Sequence, residues 1–145
     1  EENLDAFTQR FLKLAADEII PEQMTPQIDI DAVLDLQDIN AKFMSELKKM
    51  NPFGPDNQKP VFCSLGVKDY GTSKLVGKDL EHIKLELIDD KSNTPIHGIA
   101  FGMHQHNTHI KNMKPFNICY TIEENTYNGN TSLQLMVKDI KENDI

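Results

Sequence analysis

The chain has 145 residues, of which 39% are hydrophobic and 7% aromatic, and it carries a formal net charge of −8 at pH 7. This length fits one domain, or one small domain with part of another. The composition excludes a disordered chain, and no apolar run approaches the ~20 residues that a membrane-spanning helix needs. The acidic balance argues against non-specific binding to duplex nucleic acid but allows a local groove of lysines.

The first 50 residues predict a helix, a strand and a second helix. Apolar residues recur at helical spacing between Asn3 and Ile19, and Pro21 should end that helix. Residues 28–35 alternate apolar and acidic side chains, as in a half-solvated strand. A second amphipathic helix runs from about Ala41 to Lys49, with four side chains facing inward: Phe43, Met44, Leu47 and Met50.

The strand at residues 28–35 has no partner strand within the first 50 residues. Because its backbone N–H and C=O groups must be paired, it either joins the later sheet or belongs to a domain outside the chain. We favour the second alternative. The chain also begins with Glu1-Glu2 rather than Met, which suggests a piece of a longer protein.

A dense run of turn-forming residues from Asn51 to Asn57 marks a boundary between two parts of the chain. Three prolines between residues 52 and 60 predict a stiff connection rather than a flexible tether. The predicted division of the chain is residues 1–50, a proline-rich linker at residues 51–60, and a domain at residues 61–145.

The last part predicts five strands and one helix. Residues 61–76 form a long first strand, bent near Tyr70-Gly71 because glycine permits a kink there. The next elements are two strands, at Glu81–Asp89 and Thr94–Phe101, and a polar helix-compatible segment at Met103–Met113. Cys63 and Cys119 both fall in predicted strands, where buried free thiols are expected rather than a disulfide framework.

Residues 116–141 carry the clearest pattern, two alternating strands around Asn128-Gly129, which is a strong hairpin signal. With the preceding elements this gives the order β-β-β-α-β-β with a long bent first strand. That order is typical of the OB-fold, a five-stranded Greek-key barrel. The predicted fold class is therefore mainly β with flanking helices, an OB barrel preceded by a helix-strand-helix segment.

OB-folds bind oligonucleotides on the face of their second and third strands, helped by the loops that join strands 1–2 and 4–5. Those loops fall at residues 77–80 and 125–130. Binding to a single strand needs cations near phosphates and rings that stack on bases. Each lysine alone also fits a solvated strand face, and Tyr127 also fits an apolar lid on the barrel end. The candidate nucleic-acid-binding residues are Lys74, Lys78, Lys84, Tyr127, Asn128, Gln134 and Lys138.

No catalytic constellation is visible, because the sequence lacks a phosphate-binding glycine loop, a nucleophile elbow and a zinc-protease motif. His104, His106 and His109 lack the i, i+4 spacing that puts two ligands on one helical face. Surface polar residues on a short helix explain these histidines better than a metal site does. No catalytic or metal-binding residue is therefore assigned.

Three stretches carry a family resemblance: NPFGPDNQKPVF at residues 51–62, GKDLEHIKL at residues 77–85 and TSLQLMVKDI at residues 131–140. Together they resemble the RecJ family of bacterial single-strand-specific exonucleases. By this resemblance, residues 1–50 are the end of a DHHA1 domain with its connector, and residues 61–145 are the OB domain. The family often has Trp where this chain has Tyr127 and a basic residue where it has Asn130. The resemblance therefore implies a weaker grip by this loop.

The resemblance implies that the parent protein is a metal-dependent 5′→3′ exonuclease of DNA repair and recombination, cytoplasmic and using Mn²⁺ or Mg²⁺. The family's Asp-His-His and Gly-Gly-His motifs are not in this sequence, so the fragment should hold no cofactor and be inactive alone. Its expected role is a non-catalytic OB module. Its expected partners are single-stranded DNA and the N-terminal catalytic domain of the same protein, with no membrane. The alternative is a protein-interaction OB domain that docks the nuclease core or a repair partner.

Overall fold

The computed structural model describes residues 2–20 and 24–143, and these ranges contain three helices and seven strands. The helices are α1 (Glu2–Glu18), α2 (Ala41–Lys48) and α3 (Asn107–Lys111). The strands are β1 (Ala32–Val33), β2 (Phe62–Asp69), β3 (Lys74–Val76), β4 (His82–Ile88), β5 (Ile96–Ala100), β6 (Phe116–Tyr127) and β7 (Asn130–Glu142). Two short 3-10 turns lie at Leu36–Asp38 and His104–His106. No helix in the described residues is long and apolar enough to cross a membrane.

All seven strands form one sheet in the order β1-β2-β6-β7-β5-β4-β3, and an additional pairing of β2 with β4 closes it into a barrel. β5 and β7 run parallel, whereas the other pairs inside the barrel are antiparallel. β2 and β3 together are the predicted bent first strand, interrupted after Asp69, with Gly71 at a φ of 106°. The predicted OB-fold, with its helix between the third and fourth strands, is confirmed.

Alternation along the strands decides which side chains fill the barrel. In β4 the three alternating apolar residues, Ile83, Leu85 and Leu87, are all fully buried. In β7 the alternation changes phase, because a bulge leaves Lys138 without a partner on β6. Ile140 therefore enters the core although a strict alternation from Leu135 would point it outward. The other core side chains on the strands are Phe62, Val67, Ala100, Phe116, Ile118, Tyr120, Ile122, Leu135 and Val137.

The strand predicted at residues 28–35 is shorter in the structure, and the favoured alternative, that it belongs to a domain outside the chain, is wrong. Only β1 is a regular strand there, and it pairs in parallel with β2 of the barrel. The Asp31 N–H donates to the Val61 carbonyl at 2.8 Å, and the Leu34 N–H donates to the Cys63 carbonyl at 2.8 Å. The segment joins the later sheet because these hydrogen bonds cover an edge of β2 that would otherwise expose unpaired backbone groups.

The second predicted helix is confirmed as α2, which packs on the barrel. The Asn40 side chain caps it by accepting N–H groups from its first turn. Leu47 is buried, and the Phe43 ring lies edge-on to Phe62 with centroids 5.6 Å apart. Met50, predicted to face inward, is half exposed because the helix ends before it. The division of the chain at residues 50 and 60 stays a prediction.

A buried hydrogen-bond chain joins the N-terminal segment to the barrel. The Ser64 hydroxyl donates to the Leu34 carbonyl at 2.8 Å and lies 2.7 Å from the Tyr120 hydroxyl. Because Ser64 has one proton and uses it on Leu34, the Tyr120 hydroxyl is the donor in the second bond. Burial raises the pKa of Tyr120 well above its ordinary value. The phenol therefore stays protonated and keeps donating across the pH range in which proteins function.

The first predicted helix is confirmed as α1, but its apolar residues are exposed. Pro21, which was predicted to end this helix, lies outside the described residues; the helix ends at Glu18. The side chains of Leu4, Phe7, Phe11 and Leu14 are each more than half exposed. The rings of Phe7 and Phe11 stack on each other with centroids 6.2 Å apart. An exposed apolar stripe of this kind is typical of a contact surface for another protein domain.

Candidate nucleic-acid interface

The outer face of β3, β4 and β5 carries lysines on neighbouring strands. Lys74 lies directly opposite Lys84, and Lys84 lies opposite Ile99. Directly opposite residues have Cβ atoms about 4.5–5.5 Å apart, so two of the candidate cations are neighbours. Both lysines are exposed, and in the described part of the chain neither makes an ion pair, unlike Lys59, which binds Glu123. Two like charges this close repel, and a phosphate between them would relieve that repulsion.

Lys78 lies in the loop between β3 and β4, at the same end of this face. The loop depends on Gly77, whose φ is 98° and where a Cβ would lie 2.7 Å from the Glu81 carboxylate. That carboxylate accepts the Asp79 N–H at 2.9 Å. The backbone N–H groups of Glu81 itself and of Asp79 hold the pKa of the Glu81 carboxyl below its ordinary value. The loop is therefore fixed by an ionised side chain and presents Lys78 to solvent.

The exposed ring of Phe101 lies beside these lysines, although it was not among the residues predicted from the sequence. Phe101 directly follows β5, is 55% exposed, and contacts His82 edge-to-face with ring centroids 4.9 Å apart. The Gly102 N–H donates to His82 Nδ1 at 3.0 Å, and the Glu81 carboxylate lies 3.3 Å from His82 Nε2. His82 is therefore held in place, and it steadies the phenyl ring. Alternation along β4 and β5 puts Phe101 and Lys84 on the same outer face.

A large aromatic residue at the end of an alternating third strand was the available sequence signal for Phe101. Phe101 is the last residue of the strand predicted at Thr94–Phe101, and the sequence alone did not distinguish this ring from a core residue. The structure makes the distinction, because Phe116 is fully buried whereas Phe101 is more than half exposed.

Tyr127 and Asn128 lie at the tip of the β6–β7 hairpin. The connection is Asn128-Gly129 alone, which is shorter than the loop predicted at residues 125–130, because the strands continue to Tyr127 and resume at Asn130. Asn128 and Gly129 have φ values of 50° and 79°, as in a type I′ turn. The Tyr127 side chain is 75% exposed, so it does not act as an apolar lid on the barrel end.

The predicted site residues do not form one cluster. Lys84, Ile99 and Met136 are successive partners across β4, β5 and β7. Asn130 at the hairpin tip is six residues from Met136, so the tip lies about 20 Å from the lysine row at ~3.3 Å per residue. Gln134 lies between the two, on β7. Lys74, Lys78 and Lys84 thus group with Phe101 at one end, while Tyr127 and Asn128 stand apart at the other.

Lys138 belongs to a different surface. It is the bulged residue of β7 and lines a groove with Cys63, Leu65 and Cys119, where β2 meets β6. Its side chain therefore lies away from the row formed by Lys74 and Lys84. The structure gives this lysine no neighbour among the other candidate residues.

The row next to the lysines is polar and partly acidic. Glu86 lies opposite His97, His97 opposite Gln134, and Gln134 opposite Glu123. The Glu86 carboxylate accepts a hydrogen bond from the Thr72 hydroxyl and lies 3.5 Å from His97 Nδ1. These carboxylates repel phosphates, so the cationic part of the face is confined to the end near the β3–β4 loop.

Two of the three clustered histidines are not surface residues, which corrects the sequence analysis. His106 and His109 are mostly shielded from solvent, and His104 is exposed. His106 Nδ1 lies 2.7 Å from one Glu142 oxygen, and His109 Nδ1 lies 3.2 Å from the other. The His106 hydrogen bond, followed by the charges of His109 and His106, lowers the pKa of the Glu142 carboxyl. The histidines therefore tie α3 and the preceding turn to the end of β7.

Replacing Glu142 with Gln is expected to destabilise the fold more at neutral pH than at about pH 3. His106, His109 and Lys114 lower the pKa of the Glu142 carboxyl in the folded state. The ionised carboxylate therefore stabilises the fold at pH values above its pKa in the unfolded chain. This stabilisation is lost as the pH falls through the pKa of the folded state. Urea unfolding at both pH values measures the change. Glu46→Gln, at an exposed helical pair with Lys49, is the matched control. An equal loss at both pH values for Glu142→Gln would contradict the expectation.

The RecJ OB domain family model matches residues 30–139 of the chain. Two curated proteins are similar over 97% of the chain, each described as single-stranded-DNA-specific exonuclease RecJ. The one from Haemophilus influenzae is 25% identical over 141 residues, and the one from Salmonella typhimurium is 24% identical over 140 residues. The chain covers 24% of the length of each, so it spans about a quarter of these relatives.

Two solved structures of Thermus thermophilus RecJ share the fold. The complex with Mn²⁺ superposes with a TM-score of 0.73 at 18% identity, over 100% of this chain and 20% of that one. The complex with Mg²⁺ gives a TM-score of 0.72 at 17% identity, over 100% of this chain and 21% of that one.

Proposed function

The chain belongs to the RecJ OB domain family, and from this we propose that it is the non-catalytic module that binds single-stranded DNA in a RecJ-type exonuclease. The observation that carries the proposal is the group of Lys74, Lys84 and Phe101 on the outer face of β3–β5. OB-folds bind oligonucleotides on this face. Single-strand binding combines cations that follow the phosphates with rings on which bases stack, and this group supplies both.

The group can contact a base and a phosphate of the bound strand at the same time. An exposed Phe101 ring, steadied by His82, offers a flat surface to a base. Lys74 and Lys84, which make no ion pair among the described residues, offer two adjacent cations to the phosphate. Stacking and charge act on every base alike, so the proposed binding has little sequence preference. The acidic row beside the lysines makes the affinity modest.

We extend the proposal to the whole protein as a metal-dependent 5′→3′ exonuclease of DNA repair and recombination in the cytoplasm. Residues 1–50 would be the end of its DHHA1 domain, and the N-terminal catalytic domain would be the intramolecular partner of this module. No three or more His, Cys, Asp or Glu side chains in the described ranges are arranged to hold a metal ion. We therefore propose no site for the Mn²⁺ or Mg²⁺ of the reaction within the described residues and assign the ion to the catalytic domain.

Fluorescence anisotropy with labelled oligo-dT tests the proposed binding. We expect saturable binding that weakens as the salt concentration rises, because cations of the protein replace the counterions of the phosphates. Lys84→Ala should weaken binding and lower the slope of log affinity against log salt by roughly 0.7, the share of one phosphate contact on a single strand. Lys13→Ala, on α1, is the control and should leave the affinity and its salt dependence unchanged.

Two results would contradict the proposal. One is a clear preference for duplex DNA over the single strand, and the other is a Lys84→Ala protein that binds as tightly as the unchanged chain. Incubation of the oligonucleotide with the chain and Mn²⁺ or Mg²⁺ should leave it uncut, and cleavage by the purified chain would contradict the assignment of catalysis to another domain.

A second candidate function, docking of the nuclease core or a repair partner, is favoured by the exposed stripe of α1. Replacing Phe11 with Ser should weaken association of the chain with the separately expressed N-terminal part, because this ring is 59% exposed. If docking is the only function, Lys78→Ala combined with Tyr127→Ala will leave DNA affinity unchanged. The same double change will then weaken association with the N-terminal part. The two functions are thus separable by the two measurements.

A further inference from the structure

Cys63 of β2 and Cys119 of β6 lie directly opposite each other in the antiparallel pairing of these strands. The Cys63 carbonyl accepts the Leu34 N–H from the β1 side at 2.8 Å. In a strand the N–H and C=O of one residue point to the same side, so those of Cys63 point away from β6. The two cysteines therefore form a non-hydrogen-bonded pair, in which the Cα atoms are only about 4.5 Å apart and the side chains are closest.

This arrangement meets the geometric requirements of a disulfide. A Cα separation of about 4.5 Å lies within the ~4.4–6.8 Å range of disulfides, and directly opposite residues project from the same face of the sheet. Both cysteines are free thiols. We propose that Cys63 and Cys119 are a redox modification site that forms a reversible disulfide between β2 and β6 by exchange with a small-molecule disulfide. The proposal is independent of DNA binding.

A groove gives a small reagent access to the pair. The groove has a volume of about 570 Å³ and is lined by both cysteines together with Leu65, Lys138 and Lys141. Cys63 is buried, with 7% of its surface exposed, whereas Cys119 is half-buried. Cys119 is therefore the thiol that an incoming disulfide meets first. Lys138 and Lys141 outnumber Asp139, the carboxylate that lines the same groove, so the net charge of the groove favours a reagent that carries carboxylates.

The reaction is a pair of balanced thiol–disulfide exchanges. The Cys119 thiolate attacks one sulfur of the small disulfide, forming a mixed disulfide and releasing one small thiolate, which takes up the proton that Cys119 lost. The Cys63 thiolate then attacks Cys119 Sγ, forming the bond between β2 and β6. This step releases the second small thiolate, which takes up the Cys63 proton. The small disulfide is reduced to two thiols, and the two protein thiols are oxidised to one disulfide.

The surroundings make the pair slow to react rather than inert. Burial raises the pKa of both thiols, and the charge of Asp139 raises that of Cys119 further. The thiolate is the reactive form, so the small thiolate population limits the rate. Once the mixed disulfide forms, the opposed Cys63 is close enough to complete the exchange.

The test incubates the 145-residue chain with oxidised glutathione and follows its intact mass and its free thiols after denaturation. We expect the loss of two hydrogen atoms, no retained glutathione and full reversal by dithiothreitol. Non-reducing peptide mapping of the same sample should yield one cross-linked peptide that contains Cys63 and Cys119. In Cys63→Ala, which lacks the resolving thiol, glutathione should remain attached to Cys119. Cys119→Ala should react with oxidised glutathione much more slowly than the unchanged chain or Cys63→Ala.

The oxidised and reduced chains should bind oligo-dT with the same affinity in anisotropy titrations, because the cysteine pair lies away from Lys84 and Phe101. Three outcomes would overturn the proposal. They are a stable glutathione adduct on the unchanged protein, a disulfide-linked dimer, and two thiols that stay titratable after prolonged exposure. Peptide mapping uses only the unchanged protein, so it decides the question even if the Cys63→Ala chain does not fold.

Discussion

Replacing Phe101 with Ala is expected to weaken binding of oligo-dT by roughly 5- to 150-fold, the equivalent of ~1–3 kcal/mol for one lost base stack. The ring is 55% exposed and is held by His82, so it is available to a base without any rearrangement. Because the side chain faces solvent rather than the barrel interior, its removal should leave the fold intact. Anisotropy titrations at one fixed salt concentration measure the change.

The matched control for Phe101→Ala is Phe11→Ala. Phe11 is exposed to nearly the same extent, at 59%, but it lies on α1 outside the barrel. The two changes remove the same side chain, so a general effect of lost surface hydrophobicity would lower both affinities equally. We expect only Phe101→Ala to matter. Equal affinities of the two variants would show that the outer face of β4 and β5 is not the stacking surface.

Replacing Leu85 with Ala is expected to lower the free energy of unfolding by about 2–5 kcal/mol. Leu85 is fully buried between Ile83 and Leu87 on the inner face of β4, so truncation loses hydrophobic burial and leaves a cavity in the barrel. Small domains have a total stability of only about 5–15 kcal/mol, so this single change removes a large share of it. Urea unfolding followed by circular dichroism gives the value.

Leu65→Ala on β2 is the matched control for Leu85→Ala. The chemical change is identical and the position is again in a strand, but Leu65 is 58% exposed. We expect its cost to stay within about 0.5 kcal/mol, as for other surface substitutions. A similar loss of unfolding free energy at the two positions would contradict the assignment of Leu85 to the barrel interior and of Leu65 to the surface.

The strands of the barrel were predictable because alternation and turn residues are local signals. Ile83, Leu85 and Leu87 alternate in the sequence and are all buried in the structure, and Asn128-Gly129 makes the hairpin turn that its sequence predicts. The bulge at Lys138 was not predictable, since it depends on how β7 pairs with β6 and not on β7 alone.

The pairing of β1 and the environment of the histidines required long-range contacts. The edge of β2 that accepts β1 lies about 30 residues further along the chain, and no local pattern indicates it. Glu142, which His106 and His109 contact, lies 36 and 33 residues beyond them. A periodicity argument treats each element alone, so it classified both histidines as surface residues.

The sequence by itself determined the order of the strands, the position of the hairpin and the family resemblance, because period-two alternation and turn chemistry act within a few residues. Only the tertiary structure decided which candidate residues share a surface. It put Lys74, Lys84 and Phe101 side by side, separated Tyr127 by about 20 Å at ~3.3 Å per residue, and set Lys138 beside two opposed thiols. The physical reason is that strand register and barrel closure bring residues together from distant parts of the chain.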